Sequence, residues 1–118
     1  MTLFISHYDR VGGKALFTRA EIKAGDIVHR LRGSVSKTAS RESIEIGPNQ
    51  HITDPFGNYM NHSSKPTTYI DGRNVVATRD LYPGEEINFD YNVSETNVVS
   101  RFIDQDTGLE VRGRLAMK

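Results

Sequence analysis

The sequence contains no cysteine and no tryptophan, only four prolines, and no excess of either charge, with 15 Lys and Arg against 15 Asp and Glu. Each shortage removes a class of protein. Without cysteine there can be no disulfide scaffold and no thiolate-ligated zinc site. Without net charge, attraction to nucleic acid or to a membrane surface by bulk electrostatics is disfavoured, leaving only local patches. Apolar runs extend for a few positions at a time, far short of the roughly 18 residues that span a bilayer. The first ten residues lack the charged start and apolar stretch of a secretory signal. What is present is a chain of 118 residues, 36% of them hydrophobic, enough for one modest core that removes roughly two-thirds of the unfolded surface from water. The expectation is a single domain over residues 1–118. It would be intracellular and cytoplasmic, or nuclear or host-cell if the source is eukaryotic or viral, with no direct nucleic-acid or membrane partner.

Short extended segments separated by turn residues dominate the pattern, which predicts a mostly β domain. Leu3–Tyr8 is β-prone and Asp9-Arg10-Val11-Gly12-Gly13 reads as a turn. Strands are expected over residues 15–18, 27–31, 43–46, 50–53, 68–70, 74–78 and 86–89, with turns at Gly47-Pro48-Asn49, Asp71-Gly72 and Pro83-Gly84. Residues 34–42 have no clear period and read as a loop or weak helix. The only helix start is at Ser94, as cap of a segment ending at Ser100, with Asn97 in place of the acidic partner.

Several motif matches fail on their chemistry. Gly13-Lys14 lacks the Ser or Thr that would hold magnesium in a phosphate loop, because Ala15 follows. Asp104-Gln105-Asp106-Thr107-Gly108 is too short before its glycine for a calcium loop and reads as a polar turn. Asn61-His62-Ser63 and Asn92-Val93-Ser94 fit the glycosylation pattern without a secretory signal. His7, His29, His51 and His62 stand at no metal-ligand spacing, so no metal is expected.

Three segments carry chemistry when taken together. They are Gly13-Lys14-Ala15-Leu16-Phe17-Thr18, Asn58-Tyr59-Met60-Asn61-His62-Ser63-Ser64-Lys65-Pro66-Thr67 and Pro83-Gly84-Glu85-Glu86-Ile87-Asn88-Phe89-Asp90-Tyr91-Asn92. A Gly-containing turn lets backbone groups approach a nucleotide-like ligand. Asn61 and His62 can meet an adenine edge through side chain or backbone, or form a self-bonded turn before Pro66. In order and content the three segments resemble the SET domain, the protein-lysine methyltransferase family that uses S-adenosylmethionine. The likeness runs over about residues 10–114 and includes Ala20-Glu21-Ile22-Lys23-Ala24-Gly25-Asp26 and Arg79-Asp80-Leu81-Tyr82. It implies a β-clip fold of short strands in several small sheets with a pseudoknot near the C-terminus. It places Gly13, Lys14, Ala15, Leu16, Tyr59, Asn61, His62 and Phe102 at the cofactor, Phe89 in the lysine channel, and Tyr91 both in the channel and as the catalytic tyrosine. Tyr91 could instead be a core residue ending a strand, and Phe102 a plain core anchor.

The implied chemistry gives these residues a task. Presenting a neutral lysine amine at pH 7 costs about 4 to 5 kcal/mol, given an ordinary pKa near 10.4. A sulfonium about 4 Å away repels the ammonium by roughly 4 kcal/mol at an effective dielectric of 20, so no dedicated base is required. What remains is alignment of amine and methyl in a narrow channel, steered by the Tyr91 hydroxyl and carbonyl oxygens. Phe89, where relatives can carry a water-holding Tyr, leaves room for di- or trimethylation.

Departures from the family pattern cluster in two places. Ala15 replaces the second glycine of the first motif, and Ser64 and Thr67 stand for a Cys and an Asn in the second. The tail over residues 93–118 has none of the zinc-binding cysteines of relatives. It is expected to be held by packing of Phe102, Ile103, Leu109 and Val111, or to be ordered by ligand. The partner would be a lysine-bearing protein or peptide, bound with little help from the minimal insert at residues 34–42, through main-chain pairing at a sheet edge. A SET-like binding module without turnover is the alternative.

Overall fold

The computed structural model describes residues 2–8, 13–96, 98, 101–104 and 106–114. Most of the expected turn at residues 9–13 lies outside them. Among the described residues, eleven short strands form three three-stranded sheets and a hairpin in the tail, all paired antiparallel. The first sheet orders β1 (Leu3–Tyr8), β2 (Gly13–Thr18) and β9 (Glu86–Ile87). The central strand β2 sets Leu16 opposite Ile5 on one side and Ile87 on the other, which explains its complete burial.

The second sheet joins β3 (Ile27–Arg30), β8 (Asn74–Ala77) and β7 (Thr68–Asp71). Its hairpin turns at Gly72, whose φ of 57° suits a residue without a Cβ. The third sheet orders β4 (Ser34–Ser36), β6 (Gln50–Thr53) and β5 (Ile44–Gly47). Pro48 and Asn49 link β5 to β6, with Asn49 at φ 55°. β4 corrects the expectation of a loop or weak helix at residues 34–42. Its residues have no period of their own, but Val35 faces Ile52 on an edge of β6 that offered free hydrogen-bonding groups. The approach is close: a Cβ on Gly33 would lie 1.4 Å from the Thr53 carbonyl oxygen.

One continuous core, including Leu16, Leu31, Ile52, Met60, Leu81, Ile87 and Phe89, fills the space between the sheets. Two buried polar groups shape the segments that lead to the site. Asp54 accepts hydrogen bonds from the backbone N–H of Arg32, Phe56 and Gly57, and His29 Nε2 lies 3.0 Å from its Oδ1. Burial pushes this carboxyl up, but those bonds outweigh it and hold it below its usual range. The single 3₁₀ turn Gly57–Tyr59 is thereby fixed at the start of the second motif. Asn88 is tied to Thr67 and Thr68 through bonds of 2.6 to 3.3 Å.

Three further expectations need correction. The strand at residues 86–89 stops at Ile87, because Phe89 leaves the sheet to pair in parallel with His62. The helix does not begin at Ser94. It is α1, Tyr91–Ser94, capped by the Asp90 carboxylate accepting from Asn92 N–H at 2.9 Å. It ends at Glu95, which turns into extended backbone, and Asn97, Val99 and Ser100 lie outside the described residues. The tail hairpin β10 (Phe102–Ile103) and β11 (Glu110–Val111) is not held mainly by packing. Val111 is fully buried, but Phe102, Ile103 and Leu109 are 40, 59 and 64% exposed.

Candidate active site

Hydrogen bonds fasten the tail where the sequence suggested apolar contacts. The Asn92 side-chain oxygen accepts from both Arg112 and Gly113 N–H, at 3.1 and 3.0 Å. Arg114 donates to the carbonyls of Val93 and Ser94, to Thr96 Oγ1 and to Glu45 Oε2. Asp104 closes the polar turn of residues 104–108, accepting from Asp106 N–H, and its other oxygen lies 3.0 Å from His62 Nε2. No group of three or more metal-ligating side chains stands together among the described residues.

These bonds bring the second and third motifs against the tail. Phe89 N–H donates to the Asn61 carbonyl and Ser63 N–H to the Phe89 carbonyl, so the two segments run side by side. The His62 ring sits at the junction. Its Nδ1 accepts from Tyr91 N–H at 3.0 Å, which assigns the ring proton to Nε2 and makes that nitrogen the donor to Asp104. Four aromatic rings meet here. Tyr91 packs on Phe89 with centroids 4.7 Å apart, and His62 and Phe102 meet Tyr91 edge-on at 5.3 and 6.0 Å.

The Tyr91 hydroxyl donates to the Met60 carbonyl at 2.6 Å. Burial pushes its pKa well above the ordinary value, and the charges of Glu95 and Glu86 add to the effect, so the hydroxyl stays protonated. Glu95 follows one turn later. Burial raises its carboxyl from 4.5 to about 7, and repulsion from Glu45 pushes the same way against the Glu45 N–H bond and Arg114. For Glu45 burial also acts upward, yet its bonds from Thr96 and Arg114 prevail and its pKa is lowered. Between 4.5 and about 7 the folded chain therefore binds more protons at Glu95 than the unfolded chain does, and this group's contribution makes stability fall as pH rises through that window.

A cleft of about 830 Å³ runs between these segments, and Asn61, His62, Phe89, Tyr91 and Phe102 all line it. The other expected site residues stand outside its wall. Ala15 and Leu16 are buried within β2, and Tyr59 packs against the core. Gly13 and Lys14 are exposed beside it, with Lys14 O 3.5 Å from Asn61 Nδ2. The Ala15 methyl is thus directed into the protein's own packing. The His62 ring is committed to Tyr91 and Asp104, which leaves its backbone as the part able to face a ligand. Residues with clear work in the site that sequence reasoning missed are Glu45, Asn92, Glu95, Asp104 and Arg114. Two of them carried a signal, Asn92 as the last residue of the third motif and Asp104 in the polar turn set aside above.

The sequence of residues 13–92 matches the SET domain family, and the chain belongs to it. No curated protein sequence matches the chain. Among solved structures, KRYPTONITE in complex with mCHG DNA and S-adenosylhomocysteine superposes with a TM-score of 0.71 at 22% identity, over 93% of this chain and 28% of that one. KRYPTONITE with mCHH DNA, an H3(1-15) peptide and S-adenosylhomocysteine gives 0.68 at 20% identity, over 86% and 27%. A Plasmodium falciparum protein put forward as a histone methyltransferase gives 0.62 at 21% identity, over 76% of this chain and 92% of its own. The chain thus spans little more than a quarter of the KRYPTONITE chains, and at these identities the likeness establishes the fold.

The residues present fit S-adenosylmethionine. The cleft offers the half-exposed ring of Phe102 as a stacking surface, and the Glu86 carboxylate and Asn61 amide as polar partners on one wall, 3.3 Å apart. Carboxylates suit a cationic cofactor, and an aromatic face suits its adenine.

Proposed function

We propose that this chain is an S-adenosylmethionine-dependent protein-lysine N-methyltransferase able to reach the di- or trimethylated state. The observation that carries this reading is the Tyr91 hydroxyl, protonated and held on the Met60 carbonyl between Phe89 and Phe102 in the cleft. Phe102, Asn61 and Glu86 would hold the cofactor, with the backbone beside Lys14 closing one rim. When bound, S-adenosylmethionine supplies an electrophilic methyl group and a positive charge.

The chain's own contribution is orientation and exclusion of water. Phe89 and Tyr91 form an apolar wall that confines an extended aliphatic side chain. The Tyr91 hydroxyl and the Met60 carbonyl present the polar edge against which an amine aligns. A peptide bearing the lysine would approach along residues 40–44, which line part of the cleft. Calorimetric titration with S-adenosylhomocysteine tests the reading. Binding is expected, and a flat titration would leave only the alternative of a module without turnover, which the buried Ala15 methyl gives no reason to prefer.

Phe89 bears on the product. It is 2% exposed and touches the Tyr91 ring, with no polar atom to anchor a water or a partly methylated amine. Phe89→Tyr is expected to shift the mass-spectrometric product ladder toward the monomethyl form. An unchanged ladder would discard the assignment of Phe89 to product control.

A further inference from the structure

We propose that Glu95 receives the ammonium group of the target lysine inside the cleft, an inference that rests on the lysine methyltransferase reading. Glu95 N–H donates to the Tyr91 carbonyl at 2.9 Å, so its side chain leaves the backbone one turn beyond the tyrosine. It lines the same cleft as Met60, Phe89 and Tyr91. The residue is 8% exposed, and one carboxylate oxygen, Oε2, accepts Glu45 N–H at 2.8 Å. Among the described residues its other oxygen, Oε1, accepts no hydrogen bond.

The structural task of Glu95 needs one neutral acceptor, which Gln would provide equally well. The charge is attracted by nearby Arg114, but that guanidinium is bonded to Glu45, Thr96 and two carbonyls and donates no hydrogen bond to Glu95. A buried carboxylate without a hydrogen-bonded cation carries a desolvation penalty. In a cleft that accepts a cationic side chain, the substrate supplies the missing partner. The charged and titratable groups around it are Glu45 on β5, Arg114 on the tail and Tyr91 on α1, with Arg41, Glu42, His62, Glu86, Arg101, Asp104 and Asp106 elsewhere on the cleft wall.

Glu95 also offers the ammonium a destination for its proton. One proton moves from the lysine nitrogen to Oε1, and the bonding pair stays on nitrogen. The products are a neutral carboxylic acid and a neutral amine, and the proton later passes to solvent. Folding raises the carboxyl to about 7, so this transfer is better matched than it would be to an ordinary carboxylate.

The test begins with a probe that needs no knowledge of the substrate protein. With S-adenosylhomocysteine present, n-butylammonium is titrated into the protein, and the Glu95 side-chain carboxyl carbon is followed by NMR, assigned with Glu95→Gln. The signal is expected to shift with n-butylammonium and to stay in place with n-butanol. A signal indifferent to the cation overturns the proposal. In turnover with a lysine peptide, E95Q should raise KM by about tenfold or more and remove an acid limb in kcat/KM near the Glu95 pKa, with S-adenosylhomocysteine affinity unchanged. An active E95Q enzyme with wild-type KM and pH profile overturns it too. If no lysine peptide is methylated yet the Glu95 signal responds to n-butylammonium, the methyltransferase reading fails and the cation site stands. E95Q keeps the bond to Glu45 N–H and should melt no lower than wild type at pH 8, so misfolding does not confound the comparison.

Discussion

Tyr91→Phe should reduce kcat for methyl transfer by about 10²- to 10³-fold while leaving S-adenosylhomocysteine affinity within about twofold, the change expected when only a reaction-stage contact is lost. The substitution removes one oxygen. Its ring contacts with Phe89, His62 and Phe102 remain, because each is made by the ring. The Met60 carbonyl loses its donor, which should lower stability by about 1 to 2 kcal/mol. Single-turnover kinetics and thermal melting separate the two effects. Near-normal turnover in the variant would remove Tyr91 from the catalytic role and return it to that of a core residue.

His62→Ala should have the largest effect on the fold around the site. The ring is nearly enclosed and makes edge contacts with Tyr91 and Phe102. It also satisfies Tyr91 N–H on one side and Asp104 on the other. Its removal leaves a cavity, an unpaired amide and a nearly buried carboxylate together, an expected loss of about 3 to 4 kcal/mol. Hydrogen exchange should show the tail hairpin of residues 102–111 opening first, and cofactor affinity should fall with it. A loss under about 1 kcal/mol with an unaltered tail would mean that Asn92 and Arg114 hold the tail without the histidine.

How much of this was legible in the sequence differs from element to element. The hairpins at Pro48-Asn49 and Asp71-Gly72 were, because their turn residues act locally. Tyr91, Phe89 and Asn61 were visible through their motifs, and the cleft brings them together. β4 was not, because Ser34–Ser36 becomes a strand only by using an edge of β6. Ser94 has the chemistry of a cap, yet Asp90 does the capping, and Glu95 is drawn out of the helix by Glu45 and by Arg114 N–H. The anchors of the tail were hidden for the same reason. Asn92, Asp104 and Arg114 are ordinary polar residues until chain segments far apart in sequence meet.

That separation has a consequence for how the protein is made. Glu45 is bonded to Arg114, 69 residues later, and His62 to Asp104, 42 residues later, while β2 waits for β9. Closing such long loops precedes the contacts that reward it, which slows folding. On the ribosome the early hairpins can form as they emerge, but the cleft has no floor until Tyr91 and Glu95 appear and no fastening until Arg114 clears the exit tunnel. A chain interrupted just before Arg114 would carry every motif and still meet the chaperones with its tail unfastened from Glu45, Val93, Ser94 and Glu95.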